Sequence, residues 1–253
     1  EQAKTLPVLV DCCLNLSGLT PLQIDEAVAA RLRTGKSLYE VNEEKLRKAV
    51  PDLLLTQNLC QVCGPAGNEV SQVLKTLKPV PEILWQTPKN FEEILECFQE
   101  LGRKTGTLDA AQAWISAARK RIEAVAAKSA RAPKKRVAFV EWAGGEDRNA
   151  KSGQDSERIS WEKIVAEQPE VIIVSPCGFK TGQSLEQAAL LKRLPGWNDL
   201  PAVKQGKVYA VDANAYFARP GPRVVEGVKL LAHLIRPEEF AWTGPSDAFA
   251  QAT

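Results

Sequence analysis

The sequence predicts an α/β fold in which two Rossmann-like lobes are joined by one long helix. Short apolar runs alternate with helical patterns, the order that gives parallel strands with right-handed crossovers. Several of these runs are apolar throughout, which is typical of strands covered on both faces. One helical pattern, at residues 108–129, breaks the alternation. These observations predict an N-terminal lobe at residues 1–106, a linking helix and connector at 107–132, and a C-terminal lobe at 133–253.

The predicted elements follow one another closely along both lobes. Apolar runs predict strands at residues 6–12, 52–58, 82–87, 136–142, 170–176 and 207–212. Helical periodicity predicts helices at residues 21–35, 43–50, 67–77, 90–106, 160–168 and 222–235. Pro237 is expected to stop the last helix, because proline cannot continue one.

The pattern at residues 108–129 predicts a helix of unusual length. It is rich in alanine, has Asp109 near its start, and places Ile115, Ile122 and Val125 on one stripe. At 1.5 Å per residue it would span about 30 Å. A basic, proline-containing connector follows at residues 130–136, so we interpret the helix as a stiff strut between lobes. A long crossover helix within one domain is the alternative.

Composition excludes several classes of protein. The 33 Lys and Arg residues nearly balance the 31 Asp and Glu residues, which argues against a nucleic-acid-binding protein. No apolar run approaches the roughly 20 residues of a membrane span. The chain has a single His and no nucleophile, zinc-protease or phosphate-loop motif, so we expect neither an enzyme nor a resident cofactor. Without an initiator Met or a signal-peptide pattern, the chain is expected to be a processed form or a fragment.

Five predicted strands end in segments where aromatic, thiol and amide side chains are concentrated. In open α/β sheets, ligands bind beyond the carboxyl ends of the strands. Any one of these residues can be a packed loop residue, but recurrence at five strand ends favours a shared site. The candidate ligand-binding residues are Gln57, Asn58, Cys60, Cys63, Trp85, Glu141, Trp142, Cys177, Phe179, Asn214, Tyr216, Phe217, Arg219 and Arg223.

The stretch 214-NAYFARPGPRVVEG-227 combines rings and guanidinium groups in a predicted turn. Pro220 and Pro222 would restrict this turn before binding, which lowers the entropic cost of ordering it. Arg219 and Arg223 are suited to a phosphate or carboxylate of a ligand. For Arg223, a salt bridge at the edge of the following helix is an equally good interpretation.

The six cysteines support only a weak alternative function. Cys60 and Cys63 form a lone C-x-x-C, and Cys177 lies at another strand end. These three are weak candidates for a soft-metal site, and a thiol or redox protein that uses Cys60-x-x-Cys63 is the alternative function. Cys97 is expected in the core and His233 in helix packing. A disulfide between the adjacent Cys12 and Cys13 is not expected.

Four segments together resemble the substrate-binding proteins of ABC importers for cobalamin and iron complexes, and the cobalamin-binding group in particular. They are 51-PDLLLTQNLCQVC-63, 170-EVIIVSPCGF-179, 195-PGWNDLPAVKQGKVYAVDANAYFARPGPRVVEG-227 and 236-RPEEF-240. The resemblance implies the helical-backbone fold of periplasmic binding proteins, with a ligand between two lobes. Compared with that family, the first lobe is expected to be truncated, and residues 139–147 join directly two blocks that the family separates by a loop.

The resemblance further implies a ligand, a partner and a location. A corrinoid or related metal complex is flat, with apolar faces and an amide-fringed rim. Trp85, Trp142, Tyr216 and Phe217 would line its faces, because rigid rings bury much area at low entropic cost. Gln57, Asn58 and Asn214 would bond its amides. The partner would be a membrane permease that contacts Glu69 and Glu226. The chain would be monomeric, extracytoplasmic and peripheral to the membrane.

Overall fold

The computed structural model describes residues 5–15, 18–19, 21–57, 74–75, 77–141, 159–219 and 221–252. The chain divides into two compact units, residues 1–88 and 89–253. The units are mixed α/β structures, as predicted from the alternation of strands and helices. The lobe boundaries predicted at residues 106 and 132 stay a prediction.

The first unit contains two small sheets among its described residues. Strands β1 (Val10–Cys12) and β2 (Tyr39–Val41) pair antiparallel, whereas β3 (Leu53–Thr56) and β4 (Glu82–Trp85) pair parallel. The expectation that every strand is parallel is therefore wrong for β1. Its partner β2 was not predicted, because three residues with a central Glu40 lack an apolar run. Helix α1 spans Pro21–Arg33, and helix α2 spans Glu43–Ala49.

The sheet of the second unit has the strand order β5–β6–β7–β8. Its strands are β5 (Val137–Val140), β6 (Val171–Val174), β7 (Val208–Val211) and β8 (Phe249–Gln251). The first three are parallel, as predicted, and β8 pairs antiparallel with β7. The sequence did not predict β8, because it is a short strand that becomes recognisable only when it pairs with β7.

The helices of the second unit confirm most of the predicted pattern. They are α3 (Phe91–Lys104), α4 (Leu108–Ser129), α5 (Trp161–Ala166), α6 (Thr181–Leu191), α7 (Pro201–Lys204), α8 (Ala213–Tyr216) and α9 (Val224–Ile235). The predicted long helix has the expected bounds, and α9 ends before Pro237. Helix α3 begins at Asn90, whose side chain accepts the Glu93 N–H at 3.0 Å.

The two faces of this sheet carry separate cores. Ile172 and Val174 of β6 pack on one face with α6, whereas Val171 and Ile173 pack on the other face with α9. All four residues are fully buried, in agreement with the apolar run that predicted the strand. Trp197 of the segment 195-PGWNDL-200 is also buried.

Helices α3, α4 and α9 share a third core in the same unit. Leu95, Ile115 and Val225, one from each helix, are buried together. Phe98 and Trp114 add a ring contact with centroids 4.5 Å apart. The long helix is therefore packed against α9 and is an integral part of the second unit. None of the helices in the described ranges is both long and apolar enough to cross a membrane.

Candidate functional site

The carboxyl ends of β5, β6 and β7 lie at one edge of the sheet in the second unit, because these strands are parallel. This edge carries Glu141 after β5, the segment 175–179 after β6, and Asp212 to Phe217 after β7. The hydrogen-bonded pairing of β5 with β6 continues one residue past the end of β6, since the Ser175 N–H donates to the Val140 carbonyl at 2.7 Å. The edge is the place where a parallel α/β sheet ordinarily binds ligands.

A tight turn exposes Cys177 at this edge. The Phe179 N–H donates to the Pro176 carbonyl at 3.0 Å, and Gly178 has a φ of 80°. A hydrogen bond of this kind with positive φ at the third residue is typical of a type II turn. The turn places Cys177 on the surface, with Phe179 half-buried behind it.

Helix α8 is fixed to that turn. Asp212 caps the helix by accepting the Ala215 N–H at 2.8 Å, and the Asn214 N–H donates to the Phe179 carbonyl at 3.0 Å. The backbone bond holds the segment after β7 against the segment after β6. Three predicted site residues, Cys177, Phe179 and Asn214, are thereby brought together in one unit.

Tyr216 and Phe217 are packed into the core behind this edge. The predicted turn at Tyr216 is wrong, since the residue ends α8, and its side chain is only 6% exposed. Its ring meets Trp242 edge-on at 5.9 Å, and Phe217 meets Phe139 at 5.5 Å. Burial raises the pKa of the Tyr216 hydroxyl, and the Asp212 carboxylate raises it further. The contact of these two rings with a ligand stays a prediction.

Arg219 and Arg223 flank the start of α9 and are both exposed. Neither guanidinium makes an ion pair or a hydrogen bond with the described residues. The salt-bridge interpretation of Arg223 therefore has no support in this part of the chain. Two guanidinium groups remain accessible to an anionic partner.

The Glu226 carboxylate forms ion pairs within the second unit. It forms an ion pair with Arg121 of α4 and a second one with Lys229 at 3.0 Å. The side chain is 30% exposed in these pairs. Its predicted contact with a permease stays a prediction.

The first unit contributes two described candidates, Gln57 and Trp85. Trp85 ends β4 opposite Thr56 of β3, and its side chain is 40% exposed. The Gln86 N–H donates to the Thr56 carbonyl at 2.8 Å, so Gln57, which follows β3, and Trp85, which ends β4, lie at the same edge of this sheet. Asn58, Cys60, Cys63, Glu69 and Trp142, which were also predicted, lie outside the described residues.

The sequence did not reveal two residues that hold the candidate site in place, Asp212 and Gly227. The predicted strand 207–212 includes Asp212, whereas the structure shows that Asp212 caps α8, and an Asp three residues before Ala215 is a recognisable cap pattern. Gly227 was not singled out, because its role depends on the approach of α9 to α8. Within the described ranges, no group of three or more His, Cys, Asp or Glu side chains could hold a metal ion.

Comparisons with known proteins agree with this fold. Residues 136–215 match a family model described as periplasmic binding protein. An uncharacterized ABC transporter substrate-binding lipoprotein of Bacillus subtilis, YvrC, is 24% identical over 220 residues, which covers 79% of this chain and 67% of that protein.

Two solved structures illustrate the likeness in fold. A periplasmic heme-binding protein from Pseudomonas aeruginosa has a TM-score of 0.65 at 18% identity and covers 85% of this chain and 81% of its own. A possible iron-binding, periplasmic solute-binding protein from Staphylococcus epidermidis has a TM-score of 0.60 at 22% identity and covers 78% and 80%.

The fold is that of the periplasmic solute-binding proteins to which this chain is similar. The family-model match and the transporter relative further indicate that the chain is a substrate-binding component of an ABC transporter. It is a binding protein rather than an enzyme and is extracytoplasmic.

Proposed function

We propose that this protein binds a corrinoid, such as cobalamin, or a related metal complex, and that the carboxyl edge of the β5–β8 sheet supplies part of the site. The observation that carries the proposal is the backbone bond from Asn214 to Phe179. It joins the turn that exposes Cys177 to the segment that leads into Arg219 and Arg223. A thiol, an amide, a ring and two guanidinium groups thus belong to one supported edge.

Each of these groups suits a different part of such a ligand. Phe179 offers apolar surface to a macrocycle face, and the Asn214 side chain can bond to rim amides. Cys177 offers a soft sulfur ligand for cobalt or iron. Arg219 and Arg223 offer bidentate donors to a phosphate or carboxylate. The ligand is delivered to a membrane permease, with Glu69 as the predicted contact of the first unit.

Heme is a second candidate ligand. Solved neighbours of this fold include proteins named as heme-binding. Heme carries two carboxylates, and the described part of the chain holds two exposed guanidinium groups without ion pairs at the start of α9. This match in number and sign of charge is the observation that supports heme.

The thiol alternative stays a prediction, because Cys60 and Cys63 lie outside the described residues. It would require a cysteine pKa well below the ordinary value and turnover of a disulfide substrate.

The proposal is tested by titration of the full chain with cobalamin, cobinamide and haemin. Quenching of the six tryptophans and a visible band retained after gel filtration report binding. We expect saturable binding of at least one probe. For haemin, Arg219→Gln with Arg223→Gln should weaken binding by about tenfold or more.

Lys134→Gln is the matched control for the arginine variant. Lys134 is exposed and precedes β5, so it lies at the opposite edge of the same sheet. It should leave affinity unchanged. Absence of binding by every probe would overturn the proposal, and equal losses in the control would remove the role of the two arginines.

A further inference from the structure

We propose that Glu226 is a positioning residue for ligand binding: it acts through Arg223 by fixing the first turn of α9 to the long helix α4. This inference rests on the proposed function, since it concerns how the same edge presents a guanidinium group. It assigns Glu226 a role different from the permease contact that the sequence predicted.

The first turn of α9 is seated directly on the segment that carries the site. Arg223 and Gly227 are four residues apart and share one face of the helix, and the Gly227 N–H donates to the Arg223 carbonyl at 2.9 Å. On that face, Gly227 lies against the Tyr216 carbonyl and the Phe217 ring. A shift of the first turn would therefore move Arg223 relative to α8.

No side chain caps this end of the helix. Arg223 occupies the capping position and makes no side-chain cap hydrogen bond. A carboxylate in the first turn is favourable to the helix dipole, and Glu226 is the acidic residue there. The first turn of α9 therefore depends on contacts with residues outside that helix.

Helix α4 supplies those contacts. Glu226 pairs with Arg121 of α4, while the adjacent Val225 is fully buried against Ile115 and Ala118 of the same helix. The Glu226, Arg121 and Lys229 side chains are 30%, 39% and 31% exposed. Partial burial makes this pairing less subject to screening than an exposed ion pair.

Removing the Glu226 charge would leave like charges at the start of α9. Arg121 and Lys229 would lose their shared carboxylate, which lies in the first turn of α9, three residues after Arg223. Repulsion between these cations and the positive end of the helix dipole would loosen the first turn. The effect on binding is transmitted by Arg223, because Glu226 itself is occupied by its intramolecular partners.

The experiment compares Glu226→Gln with the unmodified full chain in titrations with cobalamin and, in parallel, haemin. At a temperature where both proteins are folded, we expect the variant to bind about threefold to tenfold more weakly. In an Arg223→Gln background, Glu226→Gln should cause no further loss. A merely structural role would reduce affinity equally in both backgrounds.

Glu92→Gln is the matched control. It removes another ion pair between helices, from Glu92 of α3 to Arg119 of α4 at 2.7 Å, which does not involve α9. We expect it to leave affinity unchanged.

The outcomes separate the two proposals. If the unmodified chain binds neither probe, the proposed function fails and this inference fails with it. If the unmodified chain binds and Glu226→Gln binds equally well, only the positioning role is refuted. A loss that Glu92→Gln reproduces, or that persists in the Arg223→Gln background, also refutes it.

Discussion

Gly227 of α9 lies so close to Tyr216 of α8 that a methyl group at position 227 would come within 2.7 Å of the Tyr216 carbonyl oxygen. The same group would meet the Phe217 ring at 3.2 Å. The obstacle is backbone on one side and a packed ring on the other, so neither can move away cheaply. The absence of a side chain at residue 227 therefore sets how closely α9 approaches the candidate site.

Gly227→Ala should destabilise the protein by about 1–3 kcal/mol, because an added carbon forces the two helices apart. A urea unfolding curve would show a lower midpoint. Gly182→Ala in the first turn of α6 is the control, since nothing lies within 4 Å of its added carbon. An unchanged midpoint for Gly227→Ala would contradict the close approach.

Gly178→Ala should destabilise the turn that exposes Cys177. The φ of 80° at Gly178 is unfavourable for an alanine, at a cost of about 1 kcal/mol. Gly178→Asn should cost less, because Asn adopts this conformation more readily. Chemical denaturation of the two variants provides the comparison, and an equal or reversed order would count against a type II turn.

Ser175 and Ser184 should respond differently to replacement by alanine. Both are buried, but the Ser184 hydroxyl donates to the Val211 carbonyl at 2.8 Å, whereas the Ser175 hydroxyl has no partner among the described residues. Ser184→Ala should lose about 1 kcal/mol, and Ser175→Ala should be neutral or stabilising. Thermal unfolding of both variants tests this contrast. A large loss from Ser175→Ala would indicate that its hydroxyl is hydrogen-bonded.

Stability should fall in alkaline solution because of two tyrosines. Burial raises the pKa of Tyr209 and of Tyr216 above 10.0, with the carboxylates of Glu238 and Asp212 as the respective next causes. The folded state therefore holds these protons more tightly than the unfolded state. Their contribution is fully present below about pH 10 and is lost as pH rises through the folded-state pKa values.

The measurement is the free energy of unfolding between about pH 9 and pH 11. Tyr216→Phe should reduce the downward slope, since it removes one of the two groups. An identical slope in the variant would contradict a contribution of the Tyr216 hydroxyl to the loss of stability at high pH.

Much of the second unit was predictable because its elements have strong local patterns. The run 170-EVIIVSP-176 is apolar throughout, and β6 is buried on both faces. The alanine-rich run at 108–129 gave the bounds of α4 without error. Such patterns indicate burial and helix propensity, which are determined by residues close together in the sequence.

Elements that depend on distant partners were harder to predict. Strands β2 and β8 have three residues each and are defined by pairing with β1 and β7. Tyr216 was expected in a loop, because Pro220 and Pro222 follow it closely. The structure places its ring in the core, since Trp242 contacts it from elsewhere in the chain.

The amino-acid sequence by itself determined the α/β class, the long helix and the gathering of thiol, amide and guanidinium groups at strand ends. These depend on periodicity, on propensity and on the rule that parallel strands end at one edge. Only the tertiary structure decided that Tyr216 is buried, that Glu226 pairs with Arg121, and that Gly227 must lack a side chain. Each of these depends on distances between residues far apart in the chain, and local sequence carries no record of such distances.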